Sequence, residues 1–576
     1  MNGAQLLIKA LKAANTKYII GYTGGAIMPF FDEMEKDGSF KFIMSRHEQG
    51  AAFIAQGLSR STVSKKEQQI GICISTSGPG AMNLVTGIAD AHMDSVPIMA
   101  ITGQVATSVI GTDAFQESDV IGVMMPITKH TIMPLSPEEV EKAVFEGLYV
   151  AKTGRPGPVC LDVPKNVQQD EADKNYSFDY ENYKTELPGF DYHPVPDVEK
   201  IEIAVEMINN SERPVIFCGH GVINSNSGAK LLKFAKKSNI PISFTLHGLS
   251  AIPVDHELSL GMMGMHGTVE SNRAIANADL IIAFGMRFDD RVTGKLSEYA
   301  KNANVIHIEI DPSEIDKNVA TSIAINADVS EALDAFLESN SLKKLSRKTW
   351  FEDIKEFKNE IADELESEIK KGVGKEGKLL MKTVVSKLSD LTKGKDLVVS
   401  DVGQHQMMSA RFYNYQTPNS WFNSGGAGTM GASLPMAIGV KLGRPDERVW
   451  SISGDGGFQM NIQELGTIME YEIDLKIIIL NNEYLGMVRQ WQTLFFDGRY
   501  AGTPMHNPDF SKIAEGYGIS YKKVTKVSEI EKAIKASMEH KGAYVLEFLC
   551  DPSELILPMI PSGKTFDDMI VRVQAK

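Results

Sequence analysis

Along this chain, short unbroken runs of apolar residues alternate with stretches in which apolar positions recur every three or four residues. Runs buried on both faces and joined by amphipathic helices are the pattern of a parallel sheet covered on both sides. Up to about Pro164, the runs at 18–21, 40–45, 70–75, 98–103 and 159–163 predict strands. Gly24-Gly25-Ala26 opens a helix reaching Met34, Arg46 to Ala52 starts a second, and Thr76-Ser77-Gly78-Pro79-Gly80 opens a third. A second unit has strands at 214–218, 242–246, 280–285 and 305–310. A third begins near Leu379 and holds the run 449–452, then a sharp turn at Gly454-Asp455-Gly456-Gly457. A helical segment follows, marked by Phe458, Ile462, Leu465, Ile468 and Met469, and then a buried strand at 476–480. The predicted fold class is α/β, with three doubly wound parallel-sheet domains at 1–167, 198–337 and 379–554. A tail, 555–576, either caps a site or lies on the surface. Residues 168–197 predict a linker, and 338–378, dense in Lys and Glu, a solvated helical connection. No internal repeat is visible, although two outer domains of one fold class can diverge beyond that.

Composition narrows the class. Hydrophobic residues at 43% and charged residues at 23% are those of a soluble globular protein. A net charge of −15 with no basic stripe argues against a nucleic-acid partner. No apolar run reaches the ~20 residues that a membrane span needs. The first residues read as a helix running into a strand, without the apolar segment of a signal peptide or an Arg/Ser-rich transit extension, so the expected location is cytoplasmic. The four cysteines, Cys73, Cys160, Cys218 and Cys550, are scattered and read as buried free thiols, in keeping with a reducing compartment.

The candidate chemistry lies in the third unit. Asp455 follows one buried run and Asn481-Asn482 ends the next, with 24 residues, 457–480, between the two motifs. In a parallel sheet the carboxyl ends of strands share one edge, where ligands bind. One carboxylate and one amide oxygen make a poor metal cage alone, but suit Mg²⁺, which draws further ligands from phosphates and water. The glycines let backbone approach those phosphates, and the helix after the turn offers its N-terminus. This stretch resembles the diphosphate-binding signature of thiamine-diphosphate enzymes. Leu485-Gly486-Met487-Val488-Arg489-Gln490-Trp491 narrows the resemblance to the acetohydroxyacid synthases, also called acetolactate synthases, over nearly the whole chain.

The resemblance implies the thiamine-diphosphate-enzyme fold, with a pyrimidine-binding first domain, an FAD-binding central domain and a diphosphate-binding third domain. It gives Mg²⁺ to Asp455, Asn482 and the Tyr484 carbonyl. It places Gly78, Gln404, His405, Gly428, Gly454, Gly456, Gly457, Gly486 and Met487 around thiamine diphosphate. Glu48, in Arg46-His47-Glu48-Gln49-Gly50, taken alone is an acid that favours a helix start. The family's glutamate hydrogen-bonds the aminopyrimidine ring and promotes the tautomer that activates the cofactor, a task suited by an apolar setting. Met430, otherwise core filler, matches the bulky side chain over which the cofactor bends. Gly24, Gly25, Phe115, Gln116 and Lys165 are similar to further active-site positions. Thr23 departs from the family, where many members carry proline.

In the central unit, Gly219, Gly221, Thr245, Leu246, Gly264, Met265, His266, Gly267, Gly285, Arg287, Asp289, Arg291, Asp311 and Asp328 resemble the FAD-binding positions of the family. The string Arg287-Phe288-Asp289-Asp290-Arg291 is the most telling, because FAD-free catabolic members generally lack it. The implied reaction decarboxylates pyruvate on thiamine diphosphate and transfers the hydroxyethyl unit to pyruvate or 2-oxobutanoate. The products, 2-acetolactate and 2-aceto-2-hydroxybutanoate, are branched-chain amino-acid precursors. No step needs a redox change, so FAD would be structural or vestigial. Arg291 matches the arginine that grips the acceptor carboxylate and Trp491 the tryptophan against its alkyl group. A homodimer or homotetramer and a small regulatory subunit are the implied partners. An FAD-using pyruvate oxidase and a non-catalytic relative are the rival readings. The first is opposed by the Arg287–Arg291 and Leu485–Trp491 strings, and the second by retention of Glu48, Asp455 and Asn482 together.

Overall fold

A computed structural model describes residues 1–63, 65, 68–180, 183, 187 and 193–572. Its eighteen named strands form three six-stranded sheets in which every strand pair is parallel. The first sheet holds β1 (Tyr18–Gly21), β2 (Lys41–Met44), β3 (Gly71–Ser75), β4 (Ile98–Gln104), β5 (His130–Ile132) and β6 (Val159–Pro164), in the order β2-β1-β3-β4-β6-β5. The second holds β7 (Pro214–Cys218), β8 (Ile242–Phe244), β9 (Ser259–Met262), β10 (Leu280–Phe284), β11 (Asn304–Glu309) and β12 (Ile323–Asn326). Its order, β12-β11-β10-β7-β8-β9, is that of a dinucleotide-binding fold, with the reversal of strand order between β7 and β10. The third holds β13 (Leu397–Ser400), β14 (Trp421–Asn423), β15 (Val449–Gly454), β16 (Lys476–Asn481), β17 (Ser520–Val524) and β18 (Tyr544–Leu549), in the order β14-β13-β15-β16-β18-β17.

The first and third sheets therefore share one strand order, a relation that no sequence repeat disclosed. They meet through the helices Glu48–Thr62 and Ser433–Gly443. A methyl group on Gly57 would sit 2.0 Å from the Met436 carbonyl oxygen, and one on Gly439 would sit 1.9 Å from that of Ile54. Glycine at both places lets the two backbones touch, and alanines and large aliphatics fill the rest of the seam.

The connections are less idle than expected. Gln168, placed in a linker by its sequence context, belongs to the helix Lys165–Gln169, and its buried amide donates to the carbonyls of Ala26 (2.9 Å) and Val163 (3.0 Å). Phe178 and Tyr180 pack on Phe145 with ring centroids 5.7 and 5.4 Å apart. Residues 181–182, 184–186 and 188–192 of that stretch lie outside the described residues. The charged connection forms helices Lys348–Asn359 and Ala362–Lys371; the first buries Trp350 and Ile354, the second buries nothing. In the tail, Ile556, Met559 and Ile560 are buried, and the Ile560 N–H donates to the Met265 carbonyl at 2.8 Å, so the tail docks on the central domain. All four cysteines are buried and free. Among the described residues, no helix is long and apolar enough to cross a membrane.

Candidate active site

Gly454 of β15 pairs with Leu480 of β16, so Asp455 and Asn481-Asn482 leave the sheet side by side. Asp455 is buried, and burial pushes its carboxyl up to about 6; Asn507 donates to it at 2.7 Å. Asn481 turns away to Glu547 and Asn507, while Asn482 accepts from the Tyr484 N–H at 3.2 Å. The glycines leave no room for side chains: a methyl group would meet the His405 ring at Gly454 (2.9 Å), Leu485 at Gly456 (2.8 Å) and the Asp401 carboxylate at Gly457 (1.9 Å). Burial drives the His405 imidazole down to about 3, so it is neutral, and its Nε2 has no partner among the described residues. Among the described residues no group of three His, Cys, Asp or Glu could hold a metal. The donors here are one buried carboxylate, one amide oxygen and one carbonyl. That set fits Mg²⁺ only together with phosphate and water oxygens.

The helix expected after the turn is broken. Asp455–Met460 ends at Asn461, a 3₁₀ turn follows at Ile462–Glu464, and the helix resumes at Leu465–Glu470. The break has a cause: the Asn461 amide donates to the Gly431 carbonyl at 2.7 Å. The Gly431 N–H in turn donates to the Asp401 carboxylate at 2.8 Å. Gly431 has a φ of +87°, and these two bonds hold the peptide next to Met430 from both sides. Met430 itself is half-buried, and its Cε lies 3.6 Å from where a Gly456 methyl would stand.

A cavity of about 1120 Å³ runs from this edge into the central domain, above the usual range for a single small ligand. Every third-domain residue singled out from the sequence lines it: Gln404, His405, Gly428, Met430, Gly454 to Gly457, Asn482, Tyr484, Gly486, Met487 and Trp491. The central domain contributes Gly221, Thr245, Leu246, Met265, His266, Gly285, Arg287, Asp289, Arg291 and Asp328, and Glu309 in addition. Gly221 and Gly285 stand at the β7/β10 reversal, where a methyl on Gly221 would be 2.7 Å from the Gly285 Cα. The strand order, the bare backbone at the reversal and an unpartnered, buried His266 Nδ1 fit a dinucleotide.

Four central residues do not line the cavity. Gly219, Gly264 and Gly267 are pressed against the carbonyls of Gly285, Arg291 and Met262, and so shape loops. The Asp311 carboxylate points instead at Arg155 (3.4 Å) and the Ser313 N–H (3.0 Å). Arg291 is 62% exposed and 3.8 Å from Asp290, whereas Asp289 caps the helix Asp290–Thr293 through the N–H groups of Arg291 and Val292. Trp491 is half-buried rather than core, with its ring 5.2 Å from that of Phe495.

The first domain lines this cavity through Met93 to Ser95 and Lys152 to Pro156, but the first-domain residues singled out from the sequence do not line it. Glu48 begins the helix after β2; Asn83 donates to its carboxylate at 2.9 Å, and its other oxygen is 3.3 Å from a methyl built on Gly80. Gly24 abuts Thr76, and Gly78, with φ +56°, abuts the Gln116 carbonyl. Gly24 and Gly25 lie in a turn before the helix Met28–Asp37, which starts later than predicted because Pro29 sets its first turn. Phe115 is 88% exposed and Lys165 half-buried.

Sequence reasoning missed Asp401, Asn461, Asn507 and Gln490, which hold the backbone and side chains of the site. Asp401 carried a signal, an acid directly after a buried run, and Gln490 lies within the Leu485–Trp491 string; Asn461 and Asn507 have none within their own segments.

Three family models match in order: the thiamine pyrophosphate enzyme N-terminal TPP binding domain at residues 1–123, its central domain at 201–336 and its C-terminal TPP binding domain at 401–548. The acetolactate synthase large subunit of Corynebacterium glutamicum is 41% identical over 99% of this chain and 90% of its own length. The probable acetolactate synthase large subunit of Methanocaldococcus jannaschii is 42% identical over 100% of this chain and 96% of its own. The chloroplastic acetolactate synthase of Arabidopsis thaliana is 40% identical over 99% and 84%. With its three-sheet fold and its strand-end site, the chain belongs to the acetolactate synthase large-subunit family of thiamine pyrophosphate enzymes.

Proposed function

We propose that this chain decarboxylates pyruvate and joins the two-carbon unit to a second 2-oxo acid, pyruvate or 2-oxobutanoate, as an acetolactate synthase of branched-chain amino-acid biosynthesis. The observation that carries this reading is the single cavity into which Asp455, Asn482, Arg291 and Trp491 all open. Asp455, the Asn482 side-chain oxygen and the Tyr484 carbonyl would hold Mg²⁺, and Gly454, Gly456 and Gly457 would admit the diphosphate. Bound thiamine diphosphate supplies a nucleophilic carbon and an electron sink for decarboxylation. Asp401 and Asn461 hold the Gly431 peptide and with it the Met430 side chain over the site. Arg291, held by a weak contact to Met265 Sδ at 3.5 Å and an exposed ion pair with Asp290, would take the acceptor carboxylate in a fork. Trp491 presents an apolar wall to the acceptor's alkyl group.

Glu48 is proposed to hold the proton that activates the cofactor, together with Gly24, Gly25, Gly78, Phe115, Gln116 and Lys165. In one chain these residues do not line the cavity that holds Asp455, which supports a site shared between two copies of the chain, as a homodimer or homotetramer. FAD, without a redox role, would occupy the central part of the cavity at the β7/β10 reversal. A small regulatory subunit and a cytoplasmic location complete the proposal.

The test is a colorimetric acetolactate assay with pyruvate, thiamine diphosphate and Mg²⁺. Product should require both cofactors, and Asp455→Ala should lose cofactor retention along with activity. Oxygen uptake with pyruvate and no acetolactate would replace this reading with an oxidase.

A further inference from the structure

We infer that Gln490 is a positioning residue that ties the amide of Asn482 to the C-terminal tail through a relay of three buried side-chain amides. Asn482 Nδ2 donates to Gln404 Oε1 at 3.3 Å, Gln404 Nε2 donates to Gln490 Oε1 at 3.2 Å, and Gln490 Nε2 donates to the Ile556 carbonyl at 3.2 Å. Asn482 is 2% exposed, Gln404 4% and Gln490 1%, so none of the three can exchange a lost partner for bulk water.

The direction of the relay is fixed by backbone groups, whose donor or acceptor character admits no choice. The Tyr484 N–H at 3.2 Å requires the Asn482 oxygen on its side. The Glu554 carbonyl at 3.0 Å requires the Gln404 nitrogen. The Ile556 N–H at 2.7 Å and its carbonyl at 3.2 Å take opposite ends of the Gln490 amide. With all three orientations set, the Asn482 oxygen is left on the side away from Gln404, as a metal-facing ligand needs. Gly486 makes the contact possible: a methyl there would lie 2.2 Å from Gln404 Oε1 and 2.6 Å from Asn482 Nδ2.

The relay ends on a segment held at several points. Arg489 donates to the Pro552 carbonyl, Arg411 donates to the Leu557 carbonyl at 2.7 Å, and the Ile560 N–H reaches the Met265 carbonyl in the central domain. Gln490 also shares the helix Gly486–Phe495 with Trp491. A docked tail thus fixes the orientation of Asn482, and a metal on Asn482 favours the docked tail, because a coupling between two sites is reciprocal.

This rests on the proposed role of Asn482 as a metal ligand, and its test reads binding and exchange rather than turnover. Mn²⁺ binding to the full chain is measured by electron paramagnetic resonance with thiamine diphosphate present, for wild type, Gln490→Met, Gln404→Met and the double variant. Partners that orient a ligand typically contribute 10–100-fold to metal affinity, so Gln490→Met should weaken Mn²⁺ by about 10-fold or more. In a relay the double variant should be no weaker than Gln404→Met alone, whereas independent packing effects would multiply. Hydrogen exchange at the Ile556 amide of the wild type, which needs no variant, should slow on loading with Mn²⁺ and thiamine diphosphate. Unchanged Mn²⁺ affinity in Gln490→Met, multiplicative losses, or an Ile556 amide indifferent to loading would each overturn the relay. A wild type that binds no Mn²⁺ with thiamine diphosphate would overturn the metal reading itself, and the relay with it.

Discussion

Replacing Trp491 by leucine tests acceptor choice most directly. The two proposed acceptors share a carboxylate and differ by one methylene. Burying a methylene is worth about 0.8 kcal/mol, about fourfold, and a well-fitted pocket reaches ~1–3 kcal/mol, roughly 10–200-fold. Trp491 is the side chain proposed to supply that contact. Trp491 is half-buried, rests one side of its ring near Phe495 at 5.2 Å and lines the cavity. Leucine keeps the stem but loses the flat wall, so Trp491→Leu should forfeit most of the preference for 2-oxobutanoate while still forming acetolactate. Arg291→Lys should behave differently. Lysine cannot reproduce the two-pronged grip, and both acceptors carry the same carboxylate, so both products should fall together with little change in their ratio. The Asp290 partner does not compete strongly, since the pair is 3.8 Å apart with both side chains largely exposed, worth about 1 kcal/mol at most. The assay is a competition with both 2-oxo acids present and both products quantified. An unchanged product ratio in Trp491→Leu would refute the reasoning and leave the ring a packing residue of its helix.

Glu48→Gln should retain Mg²⁺ and thiamine diphosphate yet slow exchange of the cofactor's reactive proton by orders of magnitude, followed by NMR; undiminished exchange would give Glu48 another task. Mixing that variant with Asp455→Ala should restore activity through hybrid sites, and verified mixed dimers without activity would contradict the shared site. The purified protein should be yellow from FAD that is not turned over, and a colourless preparation of full activity, indifferent to added FAD, would remove the cofactor role of the central domain. Glu464 offers a pH test. Burial pushes its carboxyl to about 7, above its ordinary 4.5. The folded state therefore holds a proton that the unfolded state releases, and stability falls as pH rises between about 4.5 and 7. Glu464→Gln should remove that fall in thermal melts, and an identical pH dependence in both proteins would show the group to be unshifted.

The strands around the site were legible because strands buried on both faces of a parallel sheet appear as unbroken apolar runs, and the residue after each run stands on the ligand-binding edge. That logic put Asp455 and Asn482 at neighbouring strand ends, where the structure has them, whereas Gly285 and Glu48 were singled out by family resemblance. It failed where a side chain answers to a distant partner. Asn461 breaks a helix whose apolar spacing is continuous, because its amide is drawn to Gly431, and no pattern within 455–470 announces it. Gly219, Gly264 and Gly267 follow or flank strands as ligand glycines do, but their missing side chains make room for neighbouring carbonyls. Asp311 sits after a run like Asp455, yet Arg155 from the first domain draws it out of the cavity. The common strand order of the outer sheets was invisible because topology is conserved by packing rather than by residue identity.

That common order also bears on why a complete site would need two chains. Both outer sheets present a ligand edge at the reversal of their strand order, at β1/β3 in one and β13/β15 in the other. Within a chain, the sheets are joined through Gly57 and Gly439, a crossing so close that a side chain on either would strike backbone. A seam of that kind leaves little freedom to slide or rotate, because moving either helix forces its carbonyls into the other. Glu48 is the first residue of one seam helix, and Glu464, beside the Arg46 N–H at 3.1 Å, locks the start of that helix to the third domain. The orientation of Glu48 relative to Asp455 of its own chain is thus set by packed backbone, with the two outside one another's cavity. Bringing them together by motion would break this close backbone seam. A second copy, with its first-domain edge against the third-domain edge of its partner, would unite them with no internal change. Large apolar side chains stand exposed on both outer domains, Met28, Phe115 and Met125 on the first and Val488, Phe495 and Phe496 on the third, and would support such a meeting.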